Sequence, residues 1–538
     1  MDRATDGPRL LMVGLDGACL PVLERLFEFD AIPTIERLVG AGPAGSLQSQ
    51  LPPWTASAWP SIYTGVNPGK HGVFDFLAFD GYDWDVVNAT HVRARPIWEL
   101  LSEHGYTSIV VNVPVTHPPR AFDGALIPGM TAPEDPACHP AGLLAEIEAE
   151  IGPYRIYPQS GPEPNGSIDS YERTVVQRGA ATRYLLDQFA PDFAFVQFQV
   201  TDSVFHERPG ERGAIEAVYR AVDRELERIL SQTTPETTVL LSDHGIGPVR
   251  GHEFRVNEFL RDEGALVARQ GGDGMPTWSR AWENDLLDGE DAGAHEPSAV
   301  EQLLEAAARV GLTTQRVANA LDLVGLKEPI GRRVPNDLIR AASEQVDFEH
   351  SDAYVRSKSE LGVRINLDGR EPAGTVPVSE YESVRSDLID ALEAVRTPDD
   401  EPMFDAVEPR NAVFSGPNLE KGPDIVLVPT AFDNAIVADL AGSHFGEPIE
   451  PWNHKRTGML AASGQAVDGP LPSDAHVFDV APTICSIFDV PVDDEMDGDV
   501  LPFVEASDRQ PYPAYDPEPI VETEHASVED RLSDLGYL

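Results

Sequence analysis

The chain has 538 residues, 41% of them hydrophobic, with 90 acidic against 40 basic side chains and a formal charge of −50. That apolar share excludes a disordered polyanion, and the negative charge excludes binding to a nucleic-acid duplex through its phosphates. Three widely spaced cysteines, Cys19, Cys138 and Cys485, make neither a disulfide framework nor a metal clip. No apolar run approaches eighteen residues and none reads as a secretory segment, so a soluble, cytoplasmic chain without a membrane span is expected.

In chain order, Leu10–Leu15 (LLMVGL) is an apolar run that breaks at Asp16-Gly17. A buried parallel strand breaks this way when it delivers a polar side chain to the carboxyl edge of its sheet, which makes Asp16 a metal-ligand candidate. Thr55 and Ser57 follow Pro52-Pro53 and precede a helix-like stretch at 58–63 and turns at Gly65, Pro68 and Gly72. Either hydroxyl is a candidate nucleophile. A helix around 96–104, a strand over 107–114, a Gly- and Pro-punctuated loop over 125–133, helices over Leu143–Ile151 and 171–189, and a strand over 193–200 come next. The alternation predicts an α/β fold with a parallel-rich sheet.

Asp202 and His206 are four apart, so a helical turn starting there places both on one face within reach of one ion. A helix-start acid and a surface histidine would give the same spacing. A helix over 214–230 leads to a strand over 237–242 that ends in Asp243-His244, where an unpaired carboxylate would be costly. The pattern then changes: 265–300 is rich in Gly, Asp and Glu, 299–324 is helical, 361–366 and 375–376 are short strand-like pieces, and 381–394 is a helix. The expected organisation is a core of 1–256 with 424–505, in which 424–428 (DIVLV) is the next core strand. An inserted cap lobe occupies 257–423, and 506–538 is an acidic, Pro-rich linker with a closing docking segment. His454 precedes a strand at 458–462, His444 competes with it, and 479–488 begins a helix with Pro482 in its first turn.

Asp16, Thr55, Asp202, His206, Asp243, His244 and His454 each fall at or beside a predicted strand end. They can therefore meet at one sheet edge, where ligands bind in open α/β folds. Three carboxylates, three imidazoles and a hydroxyl suit two borderline divalent cations, zinc or manganese.

The ordered set VGLDG, PPWTASAWPSIYTGVNPGKHG, TDSVFH, LSDHG, INLDGREPAGTV, WNHKRTGMLAASG and DVAPTICSIFDVPVDDEMDGDVL resembles the alkaline phosphatase superfamily. The likeness is to its type I phosphodiesterase/nucleotide pyrophosphatase branch and the related phosphohydrolase/phosphomutase group. It implies a central, largely parallel sheet flanked by helices on both faces. It also implies one metal on Asp202, His206 and His454, and another on Asp16, Asp243, His244 and the Thr55 oxygen. Thr55 would attack phosphorus to give a covalent phospho- or nucleotidyl-enzyme intermediate. The implied activity is hydrolysis of a small phosphodiester or phosphomonoester. A phosphomutase is the alternative, and a non-catalytic metal-binding module a third reading.

Two departures stand out. Nucleotide pyrophosphatases commonly hold a phosphate oxygen with an asparagine shortly after HG, and Phe76 stands there instead. No arginine lies between Ser49 and Gly72, which argues against a sulfatase. The phosphate-holding role is left to Lys70, His71 and His252 as candidates. The acids are spread along the chain, as on a surface built for high salt, and a halophilic archaeon is the expected source.

Overall fold

The computed structural model describes residues 7–159, 168–270, 344–465, 467–516, 518–521 and 528. Its largest sheet has seven strands: β1 (Leu10–Leu15), β2 (Ala44–Gln48), β3 (Ser108–Val111), β4 (Gly124–Ile127), β5 (Phe193–Phe198), β6 (Thr237–Leu241) and β7 (Thr457–Gly464). Their order is β2-β7-β6-β1-β5-β3-β4. The run from β6 to β4 is parallel, whereas β7 lies antiparallel to both β6 and β2. Every residue of β1 and of β5 is buried, so both faces of the sheet are covered, which is why these strands read as unbroken apolar runs.

Helices flank this sheet. On one side α1 (Thr55–Thr64) lays Trp59 over Gly14 of β1; a Cβ on Gly14 would sit 2.5 Å from the indole. The long helices α2 (Ile168–Phe189) and α4 (Arg212–Gln232) pack on each other, with the short α3 (Val200–Glu207) between them in the chain. Helix α5 (Val480–Ile487) packs against α1.

The strands the pattern missed are the sheet's two edges. Residues 125–133 were expected to be a loop, yet β4 occupies the first part of that stretch; it is only four residues long and bounded by Gly124 and Pro128. Strand β2 (AGSLQ) is mostly half-buried and carries one apolar side chain of any size, so it leaves little signal. A second correction concerns 424–428. Ile425–Pro429 does not join the central sheet but pairs with Gly362–Ile365 and Phe404–Pro409 in a four-stranded antiparallel sheet that Ala353–Tyr354 completes. An apolar run of that length fits the middle of either sheet.

The buried hydrophobic residues fall into two clusters, one around each of these sheets, with Trp54, Phe79 and Trp84 touching both. Asp424 anchors the second: it accepts from Ile365 N at 2.7 Å, Arg370 Nη2 at 2.7 Å and Tyr381 Oη at 2.8 Å. Burial opposes its charge, but Arg370, with Arg364 and Arg410 behind it, holds the carboxyl down at about 2. The linker expected after residue 505 lies along the core. Arg95 and Arg120 stack on Tyr515 at 5.9 and 4.9 Å, and Asn88 Nδ2 donates to Val521 O at 2.7 Å. The helix expected at 299–324 and nearly all of the closing segment lie outside the described residues.

Asp75 sits where the two clusters meet, 1% exposed, and accepts from Ser359 Oγ at 2.8 Å. Burial, and then the charge of Glu360, push its carboxyl up to about 6. The folded state thus holds this proton more tightly than the unfolded chain, whose aspartates titrate near about 4, and stability is lost as pH rises from there to about 6. Asp75→Asn should therefore stabilise the protein by about 2–3 kcal/mol near pH 8 and change little near pH 4, as read by denaturant unfolding at the two pH values.

Candidate metal centre

Each central strand delivers its side chain to the same edge. Asp16 follows β1, and its Oδ2 accepts from Trp59 Nε1 at 3.0 Å and Gln197 Nε2 at 2.5 Å. Its Oδ1 is left facing Thr55 Oγ1 at 3.3 Å and His244 Nε2 at 3.5 Å. After β5 the chain turns directly into α3, which sets Asp202 and His206 one turn apart with Oδ2 and Nε2 3.3 Å from each other. Strand β6 ends in Asp243-His244, Oδ2 to Nε2 3.3 Å, and Gly17 N donates to Asp243 Oδ1 at 3.3 Å.

His454 reaches this edge for a topological reason. Because β7 runs against its neighbours, its amino end lies at their carboxyl ends, and the strand just before it, Trp452–Lys455, pairs with Gly245–Pro248 so that His454 faces Ile246. His454 Nε2 is then 3.1 Å from His206 Nε2 and 3.7 Å from Asp202 Oδ1, with its ring stacked on His244 at 3.6 Å between centroids. Thr55, the first residue of α1, places Oγ1 3.2 Å from His244 Nε2. The structure thus gathers all seven candidates, and the least buried side chain, that of His206, is 5% exposed.

The electrostatics of this cluster call for cations. Burial raises Asp16 well above the usual carboxylate range, and Asp243 and Asp202 push it further. Asp243 is raised by burial against the help of His244. Burial also opposes ionisation of Asp202, but His206 and His454 overcome it and hold the carboxyl below its ordinary value. His206 is raised because Asp202 outweighs its burial. His454 is driven well below the usual histidine range by burial and then by His244, so its ring is neutral.

Two backbone carbonyls fix the tautomers: Pro53 O is 3.0 Å from His454 Nδ1 and Gly245 O is 3.0 Å from His244 Nδ1. A proton on each Nδ1 leaves Nε2 lone pairs aimed at carboxylate oxygens, which is repulsive as a hydrogen-bond network and suits ligation of a cation between them. Among the described residues two overlapping triads, Asp202–His244–His454 and Asp16–Asp243–His244, bring ligand atoms within 4.8 Å of one another. The oxygen and imidazole donors fit borderline divalent ions.

Sequence reasoning did not find the groups that hold this set: Trp59 and Gln197 on Asp16, Thr201 Oγ1 donating to Asp16 O at 2.8 Å, and Pro53 on His454. Two signals were present. Trp59 is four residues after Thr55 on one helical face, and Gln197 is the lone polar side chain in the apolar run of β5. The other candidates lie elsewhere. Ser57 Oγ donates to Val73 O at 3.0 Å. His71 is buried on Ser61 at 2.9 Å, with burial taking it down to about 3. Lys70 holds Asp497 at 2.6 Å, His252 Asp399 at 2.8 Å and His444 Asp262 at 2.9 Å. Phe76 is fully buried and serves the core.

A largely parallel α/β sheet thus carries an acid-and-histidine centre at its carboxyl edge, where open α/β folds bind their ligands. The family model for type I phosphodiesterase/nucleotide pyrophosphatase matches residues 10–432; the chain belongs to that family and is a phosphoric ester hydrolase. In fold it is similar to phosphonoacetate hydrolase from Sinorhizobium meliloti 1021, at 16% identity and a TM-score of 0.53, over 89% of this chain and 94% of that one. It is also similar to wild-type alkaline phosphatase PafA, at 14% identity and a TM-score of 0.50, over 93% of this chain and 100% of that one. No curated protein matches the sequence significantly. Among the described residues no helix is long and apolar enough to cross a membrane.

Proposed function

We propose that this chain is a two-metal phosphohydrolase for small phosphodiesters or phosphomonoesters, with Thr55 as its nucleophile. The observation that carries the reading is the buried Thr55 hydroxyl, 3.2 Å from His244 Nε2 and 3.3 Å from Asp16 Oδ1 at the start of α1. Asp202, His206 and His454 would hold one cation, and Asp16, Asp243, His244 and the Thr55 oxygen the other, zinc or manganese by the donor set. Such ions, when bound, lower the pKa of a ligated hydroxyl and offset the charge of a phosphoryl group.

The remaining work belongs to the chain. Thr55 Oγ1 gives up its proton to solvent and attacks phosphorus; the new Oγ1–P bond forms as the bond to the leaving oxygen breaks, the leaving oxygen takes a proton from water, and a covalent phospho- or nucleotidyl-enzyme results. Water then attacks phosphorus and frees Thr55. The positive end of the α1 dipole favours the anion during both steps. The three free thiols fit a reducing, cytoplasmic setting, and the charge of −50 fits work in high salt.

Metal analysis of the purified protein in high salt should find about two divalent ions per chain. Chelation should remove them and lower hydrolysis of chromogenic mono- and diesters by about 10³-fold or more, with zinc or manganese restoring it. Labelled phosphate should end as free phosphate. An isomerised product would make the chain a mutase, and a metal-loaded protein that cleaves no ester would end the proposal.

A further inference from the structure

The sequence candidates for holding the substrate's anionic oxygens contact groups outside the seven-residue centre: Lys70 meets Asp497, His71 meets Ser61 and His252 meets Asp399. A different cation is joined to the strand of His454 by a chain of hydrogen bonds. Lys358 opens the one-turn helix Lys358–Glu360, which Ser357 caps and which docks on the core through Ser359 and Asp75. Its Nζ is 2.6 Å from Glu450 Oε1. Glu450 Oε2 accepts from Asn453 Nδ2 at 2.7 Å, and Asn453 Oδ1 accepts from the backbone N–H of His454 at 2.6 Å.

Trp452, on the same short strand, lies against Phe205 at 5.2 Å between ring centroids, next to His206. The Lys358–Glu450 pair is thus tied to the strand that carries His454, and the helix that carries His206 packs on that same strand. Consistent with that placement, after Asp202 the charges that bear on His206 are Glu450, which favours its proton, and Lys358, which opposes it. The side chains of the pair are 22% and 27% exposed, in contrast to the buried centre. A half-exposed ion pair is a weak one, and a lysine ammonium on a four-carbon stem readily changes partner. The setting is also selective: the chain carries only five lysines against a charge of −50.

We propose that Lys358 is the substrate-recognition cation of this site, neutralised by Glu450 in the free enzyme and transferred to the anionic oxygens of the phosphoryl group when substrate binds. This rests on the phosphohydrolase reading above. Glu450 then acts as a built-in competitor that a doubly charged phosphoryl group displaces more readily than a singly charged one.

The test is calorimetric titration of inorganic phosphate into the metal-loaded, full-length protein in high salt, alongside ester kinetics. Lys358→Ala should weaken phosphate binding about tenfold or more and raise KM more than it lowers kcat, with metal content and unfolding midpoint as in wild type. Lys358→Arg should recover part of the loss, and Glu450→Gln, which removes the competitor, should tighten binding. Equal phosphate affinity in wild type and Lys358→Ala, or no phosphate binding by metal-loaded wild type, overturns the inference. Failure of the wild type to cleave any ester tells against the phosphohydrolase reading alone, since the titration still reports on Lys358. Hydrolysis through Thr55 with unchanged phosphate affinity and KM in Lys358→Ala removes this inference alone.

Discussion

Thr55→Ala should lose about 10⁴-fold or more of kcat/KM on every ester that the wild type cleaves, while keeping both cations. The six carboxylate and imidazole side chains around Thr55 are untouched by the change, and the hydroxyl is one oxygen among their donors. Metal analysis of the variant separates loss of the nucleophile from loss of the site. Thr55→Ser, which keeps a hydroxyl at the start of α1, should retain measurable turnover. Full activity in Thr55→Ala with metal bound would move the nucleophile elsewhere, and Ser57, engaged with the Val73 carbonyl, would be the next residue to replace.

Gly17→Ala should weaken the candidate centre's hold on metal without replacing any of its acid or histidine side chains. Gly17 has φ 66°, a conformation that costs an alanine about 1–2 kcal/mol, and its Cβ would sit 2.7 Å from Asp202 Oδ1. The contact is with the carboxylate that balances His206 and His454, and the Gly17 N–H also holds Asp243 Oδ1. Loss of one such support lowers metal affinity by about 10- to 100-fold, so metal content after dialysis and hydrolysis should fall together, and excess metal should restore part of both. A Gly17→Ala protein with wild-type metal content and turnover would show that the approach relaxes at no cost to the site.

Much of the candidate site was legible because its residues sit where a strict local pattern breaks. Asp16 and Asp243 each end an apolar run, and the spacing of Asp202 and His206 is a helical turn that α3 supplies. What was not legible depends on contacts far apart in the chain. Nothing in IVLVP says that its partners are 362–365 and 404–409, because a two-residue alternation and a buried run look alike in either sheet. The Pro53 carbonyl that sets the His454 tautomer is 401 residues away, and Glu450 is 92 residues from Lys358. Periodicity carries no information about such pairs, whereas an ordered set of short motifs carries some, which is how His454 was preferred to His444.

The reversed strand β7 has a consequence for how the protein is made. Among the described residues β7 is the one strand of the central sheet that pairs with β2, and it separates β2 from β6, so the β6 edge stays open until residues 457–464 have been synthesised. His454 precedes that strand by three residues, so the group of side chains that Asp16 and Thr55 begin is completed only as the strand that closes the sheet is made. A chain made only as far as residue 453 therefore carries Thr55 without all of the acid and histidine side chains that surround it, and an open β6 edge available for wrong pairing. Completion of the candidate centre and closure of the sheet become one event.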